Sequence, residues 1–216
     1  MKIRLIYPEW PKLANQREFH LPPHAPVVLA AAIGEEHEVA FTDENREPVD
    51  FDERVDLVCL SMMLTCQAPR GWEIAREFRA RGVPVVAGGI ATSLHAEETA
   101  EHVDAVFVGE VEGRFEQVLD DLAAGRLQKR YDYLERPVPI ERVGTARRSI
   151  LNRDHYNYRG VQMPDLVHAS RGCRFNCYPC CVRYLGGRSF RPRPVDKVVE
   201  EVESIPNSKL FFVDNS

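Results

Sequence analysis

The chain has 216 residues, enough for a sizeable core in one or two domains. Lys and Arg total 28 against 33 Asp and Glu, a formal charge of -5 that gives no electrostatic case for binding nucleic acid. Hydrophobic residues make up 44% and charged residues 28%, and no apolar stretch approaches the roughly 20 residues of a membrane-spanning helix, so neither nucleic acid nor membrane is an expected partner.

In chain order, the first expected element is a strand over 2–7. It is cut by charges and ends at Pro8, without the apolar core or cleavage site of an export signal, which makes the cytoplasm the expected compartment. A proline-rich loop leads to an Ala/Val helix over 26–33, ended at Gly34. His20 and His24 in this region are expected to be solvated. Further strands are expected at 38–42, 55–61, 83–87 and 105–108. The runs at 57–60 and 83–87 are continuously apolar, the pattern of strands covered by helices on both faces of a parallel sheet. Between them, Gly71, Ile74, Ala75 and Phe78 mark one helix face, and Phe115, Val118, Leu119 and Leu122 another. Gly82 and Gly125 follow these helices as left-handed caps.

Residues 1–127 are therefore expected to form a doubly wound, Rossmann-like α/β domain around a parallel sheet. Residues 128–164, with their Arg-Pro-Val-Pro run, the Arg147-Arg148 pair and Tyr156-Asn157-Tyr158, are expected to be an interdomain linker with little regular structure. Over 165–216 a second α/β unit begins. It has a strand at 166–169, a cysteine loop, a helix at 195–204 with Val195, Val198, Val199 and Val202 on one face, and a strand at 209–213. One βαβ unit cannot close a core, and a full (β/α) barrel takes about 250 residues, so the chain is expected to be a truncated piece of a longer protein.

Four of the six cysteines fall between 173 and 181, which in a reducing compartment favours metal over disulfides. Cys173, Cys177 and Cys180 form C-x3-C-x2-C directly after the strand. Three thiolates on one loop can hold three irons of a cubane cluster, leaving the fourth iron open to a substrate. Gly172 lets the backbone turn into the loop, and Arg171 and Arg174 are expected to ease the gathering of thiolates. A zinc site with Cys181 or His168 as fourth ligand is the alternative, although the second short hook common in structural zinc sites is missing. Cys59 is expected to pack as a small hydrophobe, and nothing assigns chemistry to Cys66.

In the first domain, three loops are expected to converge at the carboxyl edge of the sheet. They carry Ser61 and Thr65, Gly88 and Gly89, and Gly109 and Glu110. Glycines there admit a bulky ligand close to the backbone, and hydroxyls can bond a buried polar group. Taken alone, Gly-Gly can be a tight turn and Ser61 a helix cap. Neither a G-x-G-x-x-G turn after the first strand nor a P-loop is present.

The cysteine loop resembles the signature of the radical S-adenosylmethionine enzymes. That resemblance implies that Cys173, Cys177 and Cys180 ligate a 4Fe-4S cluster whose free iron chelates S-adenosylmethionine, which is cleaved to a 5′-deoxyadenosyl radical. The aromatic residue that usually precedes the third cysteine is replaced by Pro179, with Tyr178 one position earlier. The stretches 87–92 and 104–113 are similar to the N-terminal domain of the cobalamin-dependent branch, and 186–194 to its segment before the first barrel helix. On that resemblance Ser61, Thr65, Gly88, Gly89, Gly109 and Glu110 line a cobalamin site, followed by the beginning of a radical S-adenosylmethionine barrel. The loop that supplies an axial histidine in other cobalamin proteins is absent, so no histidine is expected below cobalt. The family implies a small-molecule substrate, a reductant such as flavodoxin or ferredoxin, cobalamin as methyl carrier or redox partner, and methyl transfer to an unactivated carbon or phosphorus as its commonest reaction, beside oxidative ring formation and rearrangement, among which no residue here decides. The competing expectation is a non-catalytic α/β binding domain with a structural zinc site.

Overall fold

The computed structural model describes residues 1–12 and 19–214. Apolar residues alternate along β1 (Lys2–Tyr7), so Ile3 and Leu5 enter one core and Ile6 the other. The same division runs through β3 (Leu57–Ser61), β4 (Val85–Gly88) and β5 (Ala105–Val108). Leu57, Cys59, Val86 and Phe107 face one way, and Val58, Leu60, Val85, Ala87, Val106 and Val108 the other. With β2 (Glu38–Asp43) and β6 (Arg130–Asp132), these strands make a six-stranded parallel sheet in the order β2-β1-β3-β4-β5-β6. A sheet buried on both faces needs helices on both. α1 (His24–Ile33) and α5 (Phe115–Ala123) cover the first core, and α2 (Ala68–Ala80), α3 (Ile90–Leu94) and α4 (Ala96–His102) the second. The doubly wound, Rossmann-like fold expected from the sequence is the one observed.

Helix α2 buries Gly71, Ile74, Ala75 and Phe78, the face marked by its periodicity. Gly82 follows it at φ +76° and Gly125 follows α5 at φ +65°, both in the left-handed region. Burial pushes the Cys59 thiol well above its ordinary pKa, as for a packed hydrophobe.

Residues 128–164 differ from the irregular linker expected. Arg130–Asp132 adds an edge strand to the sheet, although only Tyr131 is apolar there. The Tyr131 hydroxyl, buried below α5, donates to Asp121 at 3.0 Å. Farther along, Ala146, Leu151, Tyr156 and Met163 join the first core, and Arg147 reaches the Gly34 carbonyl at the end of α1. After the small hairpin of β7 (Asn157–Tyr158) and β8 (Val161–Gln162) comes the expected βαβ unit. In it, β9 (Asp165–Val167) pairs in parallel with β12 (Leu210–Phe212), and α7 (Val195–Ser204) connects them. Between β9 and α7 lie β10 (Ser170–Arg171), α6 (Val182–Leu185) and β11 (Arg191–Pro192).

The valine face of α7 is not the buried one. Val195 is 77% and Val199 47% exposed, while Glu201 is the helix's buried residue. Glu201 turns inward because it ion-pairs with Arg148 at 2.7 Å and Arg193 at 2.6 Å, two arginines that are themselves buried. A carboxylate buried between two guanidinium groups is compensated, whereas an unpaired one would not be tolerated.

Candidate functional site

At the carboxyl edge, the end of β3 and the end of β4 are joined tightly. Ser61 lies opposite Gly88, the Met62 amide donates to the Gly88 carbonyl at 2.9 Å, and the Ala91 amide donates to the Met62 carbonyl at 3.0 Å. Gly89 stands at φ +99°, and a Cβ there would lie 2.4 Å from the Met62 oxygen, so only glycine fits. Thr65 comes within 3.5 Å of His95 Nε2 across the two loops. Buried Ser61 is thus brought to Gly88 and Gly89, while exposed Thr65 reaches His95 at the far end of α3. Met63 and Leu64 on the loop after β3, and Ile90 and Leu94 on α3, are exposed apolar side chains at this edge. Hydroxyls beside exposed apolar side chains suit a ligand with both polar and apolar parts, cobalamin among them.

Gln67 organises this edge and was not legible as a site residue in the sequence. It is fully buried; its Oε1 accepts from the Met63 and Leu64 amides, each at 2.8 Å, and its Nε2 donates to the Pro8 carbonyl at 2.6 Å. It therefore ties the loop after β1 to the loop after β3, the two strands between which the sheet order reverses. Beside this switch point lies an open cleft of about 800 Å³ whose walls include Trp10, Asn45, Cys66 and Arg70.

His20 is buried rather than solvated. Its Nε2 lies 2.5 Å from Asp43 Oδ2, to which the Tyr156 hydroxyl also donates at 3.1 Å, and its ring packs between Trp10 and Tyr156. Burial opposes charge on Asp43, but hydrogen bonds from His20 and Asn45 outweigh it and hold the carboxyl below its ordinary range. His24, also expected in solvent, is half-buried against His168, with ring centroids 4.7 Å apart.

Gly109 and Glu110 lie on the third loop, past β5. A Cβ on Gly109 would meet the Tyr133 and Leu134 backbone at 3.0 and 3.2 Å, so that glycine admits a neighbouring chain segment. Glu110 Oε2 accepts from the Val138 amide at 2.6 Å, and its Oε1 lies 2.5 Å from Arg191 and 3.4 Å from Arg171. These partners overcome the burial that would raise its pKa and hold it below the ordinary carboxylate range. Gly109 and Glu110 also stand at the carboxyl edge, where the Glu110 carboxylate is engaged at the junction with the second unit.

The cysteine loop follows β10 directly. Gly172 stands at φ +75°, with a virtual Cβ 2.2 Å from the Ser189 carbonyl and 2.7 Å from that of Gly186, so the turn needs glycine as the sequence suggested. Cys173 is buried, Cys177 and Cys180 are exposed, and the Cys180 amide donates to the Cys177 carbonyl at 2.9 Å. All six cysteines are free thiols. Among the described residues, no three His, Cys, Asp or Glu side chains lie close enough to hold a metal ion. Three reduced thiols on one loop, two of them exposed, still suit an iron-sulfur cluster, whose several irons spread their thiolates farther apart than a single ion does. Arg171 does not ease thiolate gathering, since its guanidinium is committed to Glu112 and Glu110. Arg174 lies over the Phe175 ring.

The B12 binding domain family matches residues 12–119, half of the chain. This chain belongs to the B12-binding domain family. The matched region holds β2 to β5 and the Ser61 and Gly88-Gly89 loops. This B12-binding chain is 31% identical over 209 residues to the bacteriochlorophyllide d C-8(2)-methyltransferase of Chlorobaculum tepidum, spanning 94% of itself and 44% of that enzyme. It is 25% identical over 179 residues to the hopanoid C-3 methylase of Methylococcus capsulatus, spanning 75% of itself and 35% of that protein. The chain therefore covers less than half the length of these relatives. Among solved structures, the radical S-adenosylmethionine methyltransferase TsrM of Kitasatospora setae, with cobalamin and a 4Fe-4S cluster bound, superposes with a TM-score of 0.67. It is 20% identical, and the match covers 100% of this chain and 49% of TsrM. OxsB, a cobalamin-dependent S-adenosylmethionine radical enzyme with aqua-cobalamin and S-adenosylmethionine bound, superposes at 0.78 with 15% identity, over 100% of this chain and 34% of OxsB. These likenesses establish the shared fold. No helix among the described residues is long and apolar enough to cross a membrane.

Proposed function

We propose that this chain is the cobalamin-binding part, with the first barrel unit, of a cobalamin-dependent radical S-adenosylmethionine enzyme that methylates an unactivated carbon of a small molecule. The observation that carries this reading is the placement of C-x3-C-x2-C immediately after β10, on a unit docked against a B12-binding domain. Similarity to two named methyltransferases supports the reaction type. In the whole protein, the cluster and cobalamin would supply, respectively, the electron that cleaves S-adenosylmethionine and the methyl group that is transferred.

The residues of this chain have distinct tasks in that scheme. Cys173, Cys177 and Cys180 hold the cluster, and Gly172 sets the turn that presents them. Ser61 and Thr65 would offer hydroxyls to cobalamin, and Gly88, Gly89, Gly109 and Glu110 would line the same site. The apolar side chains of Met63, Leu64, Ile90 and Leu94 would exclude water from the apolar ring. His20 serves the packing of the domain, with its Nε2 on Asp43 and its ring between Trp10 and Tyr156. We propose a division into a cobalamin-binding domain over 1–127, a connection over 128–164 that completes its sheet with β6 and packs on its first core, and a barrel unit from 165, in the cytoplasm, with a flavodoxin or ferredoxin as reductant.

The test is iron and sulfide content after anaerobic reconstitution. Cys177→Ala is expected to lose the cluster and Cys59→Ala to retain it; equal iron in both would remove the ligand assignment.

A further inference from the structure

The loop that carries the three cysteines is closed at its neck by a ladder of two rungs, flanked by the Arg193 amide donating to the Ala169 carbonyl at 2.8 Å and the Cys173 amide donating to the Gly187 carbonyl at 3.3 Å. β10 and β11 pair antiparallel, with Ser170 opposite Pro192 and Arg171 opposite Arg191. Proline brings no N–H to the first rung. The second sets two guanidinium groups directly across from one another, and like charges so placed destabilise a strand pair. Each side chain is only 13% exposed, so solvent and salt screen the repulsion poorly. Left to its own residues, the neck is self-repulsive.

Its compensation comes from the other domain. Glu110, just past β5, lies 2.5 Å from Arg191 Nη2 and 3.4 Å from Arg171 Nη1, so one carboxylate bridges the two arginines. Glu112 takes the other side of Arg171 at 2.5 Å. The Glu110 carboxylate is itself fixed by the Val138 amide, and Arg191 also donates to the Val138 and Gly186 carbonyls at 2.8 and 3.0 Å. Inside the neck the backbone crosses closely at Gly172 and Ser189, so a small opening there displaces the start of the cysteine loop.

We propose that Glu110 is a positioning residue for the cysteine loop: with Glu112 it supplies the counter-charge that lets Arg171 and Arg191 face each other, so the neck is held more tightly while the B12-binding domain is docked. The loop after β5 and the cysteine loop then respond as one mechanical unit. The further consequence, that cluster loading depends on this docking, rests on the proposed function.

Hydrogen exchange read by mass spectrometry on the metal-free chain tests the neck without any cofactor. Glu110→Ala is expected to speed exchange over 172–190 by roughly tenfold or more, the scale of a lost charged hydrogen bond, with the sheet peptides unchanged. Adding Arg191→Gln to that variant removes one of the two facing charges while keeping an amide donor for the neighbouring carbonyls, and is expected to restore protection. If Glu110→Ala unfolds the domain, Glu110→Gln, which keeps an acceptor for the Val138 amide but removes the charge, takes its place. Unchanged exchange in the Glu110 variant, or loosening that Arg191→Gln does not correct, would overturn the proposal. Iron content is measured separately. A restored neck in a chain that loads no iron would count against the proposed function alone, and iron loading with exchange insensitive to Glu110 would count against the positioning role alone.

Discussion

Gln67 and Glu110 are polar side chains whose value lies in what they join. Gln67 makes three hydrogen bonds to backbone groups of two loops, and no other described side chain accepts from the Met63 and Leu64 amides. Gln67→Ala is expected to lower stability by about 1–3 kcal/mol in urea unfolding, the cost of stranding buried polar groups. Neither residue's role could be read from the sequence, because each partner is remote. Gln67 reaches Pro8 across 59 positions, and Glu110 reaches Arg191 across 81. Local chemistry was legible: Cys59 in an apolar run, and Gly172 before a cysteine. Arg171 was misread because proximity to Cys173 in sequence suggested thiolates, whereas the folded chain offers it two carboxylates.

At the scale of elements, periodicity located α2 and α5 by their buried faces and the apolar runs located β3 and β4. It failed where burial is ionic. Helix α7 carries a valine stripe, yet Glu201 is what it buries, since two buried arginines outrank the apolar face. It also missed β6, an edge strand with charged residues on either side of Tyr131. The short β10–β11 pair depends on a glycine turn, which gives a direct test. Gly172→Ala combines a left-handed φ with a Cβ 2.2 Å from a carbonyl, and is expected to destabilise the second unit by roughly 1–3 kcal/mol or more, seen as faster exchange at the loop. Gly113→Ala, at φ +65° but with nothing near its Cβ, bears the backbone strain without the collision and is expected to cost less.

Across the whole molecule, the two units meet through residues 128–164 and through a buried set of charges, which makes the junction sensitive to acid. Burial, followed by neighbouring His168 and three arginines, pushes His24 well below its ordinary 6.5; burial followed by Arg171 lowers His168, with Asp214 opposing. Below pH 6.5 the unfolded chain takes up protons at these rings that the folded chain refuses, so stability falls as pH drops through that value. Asp43 and Glu110 are depressed from 3.8 and 4.5, so their contribution is complete above those values and is lost below them. Urea midpoints are expected to be flat with respect to these groups above about pH 7.5 and to fall in two successive steps on acidification. A midpoint that rises between about pH 7 and 5 would contradict this assignment. The central claim joins cobalamin and a cluster on one chain, and one preparation tests it: anaerobic protein reconstituted with iron, sulfide and cobalamin, then examined by metal and sulfide analysis and electron paramagnetic resonance. The account predicts about four irons and four sulfides per chain, a reduced-cluster signal altered by S-adenosylmethionine, and retained cobalamin. About one zinc per chain, with no cluster signal and no cobalamin retained, would contradict it.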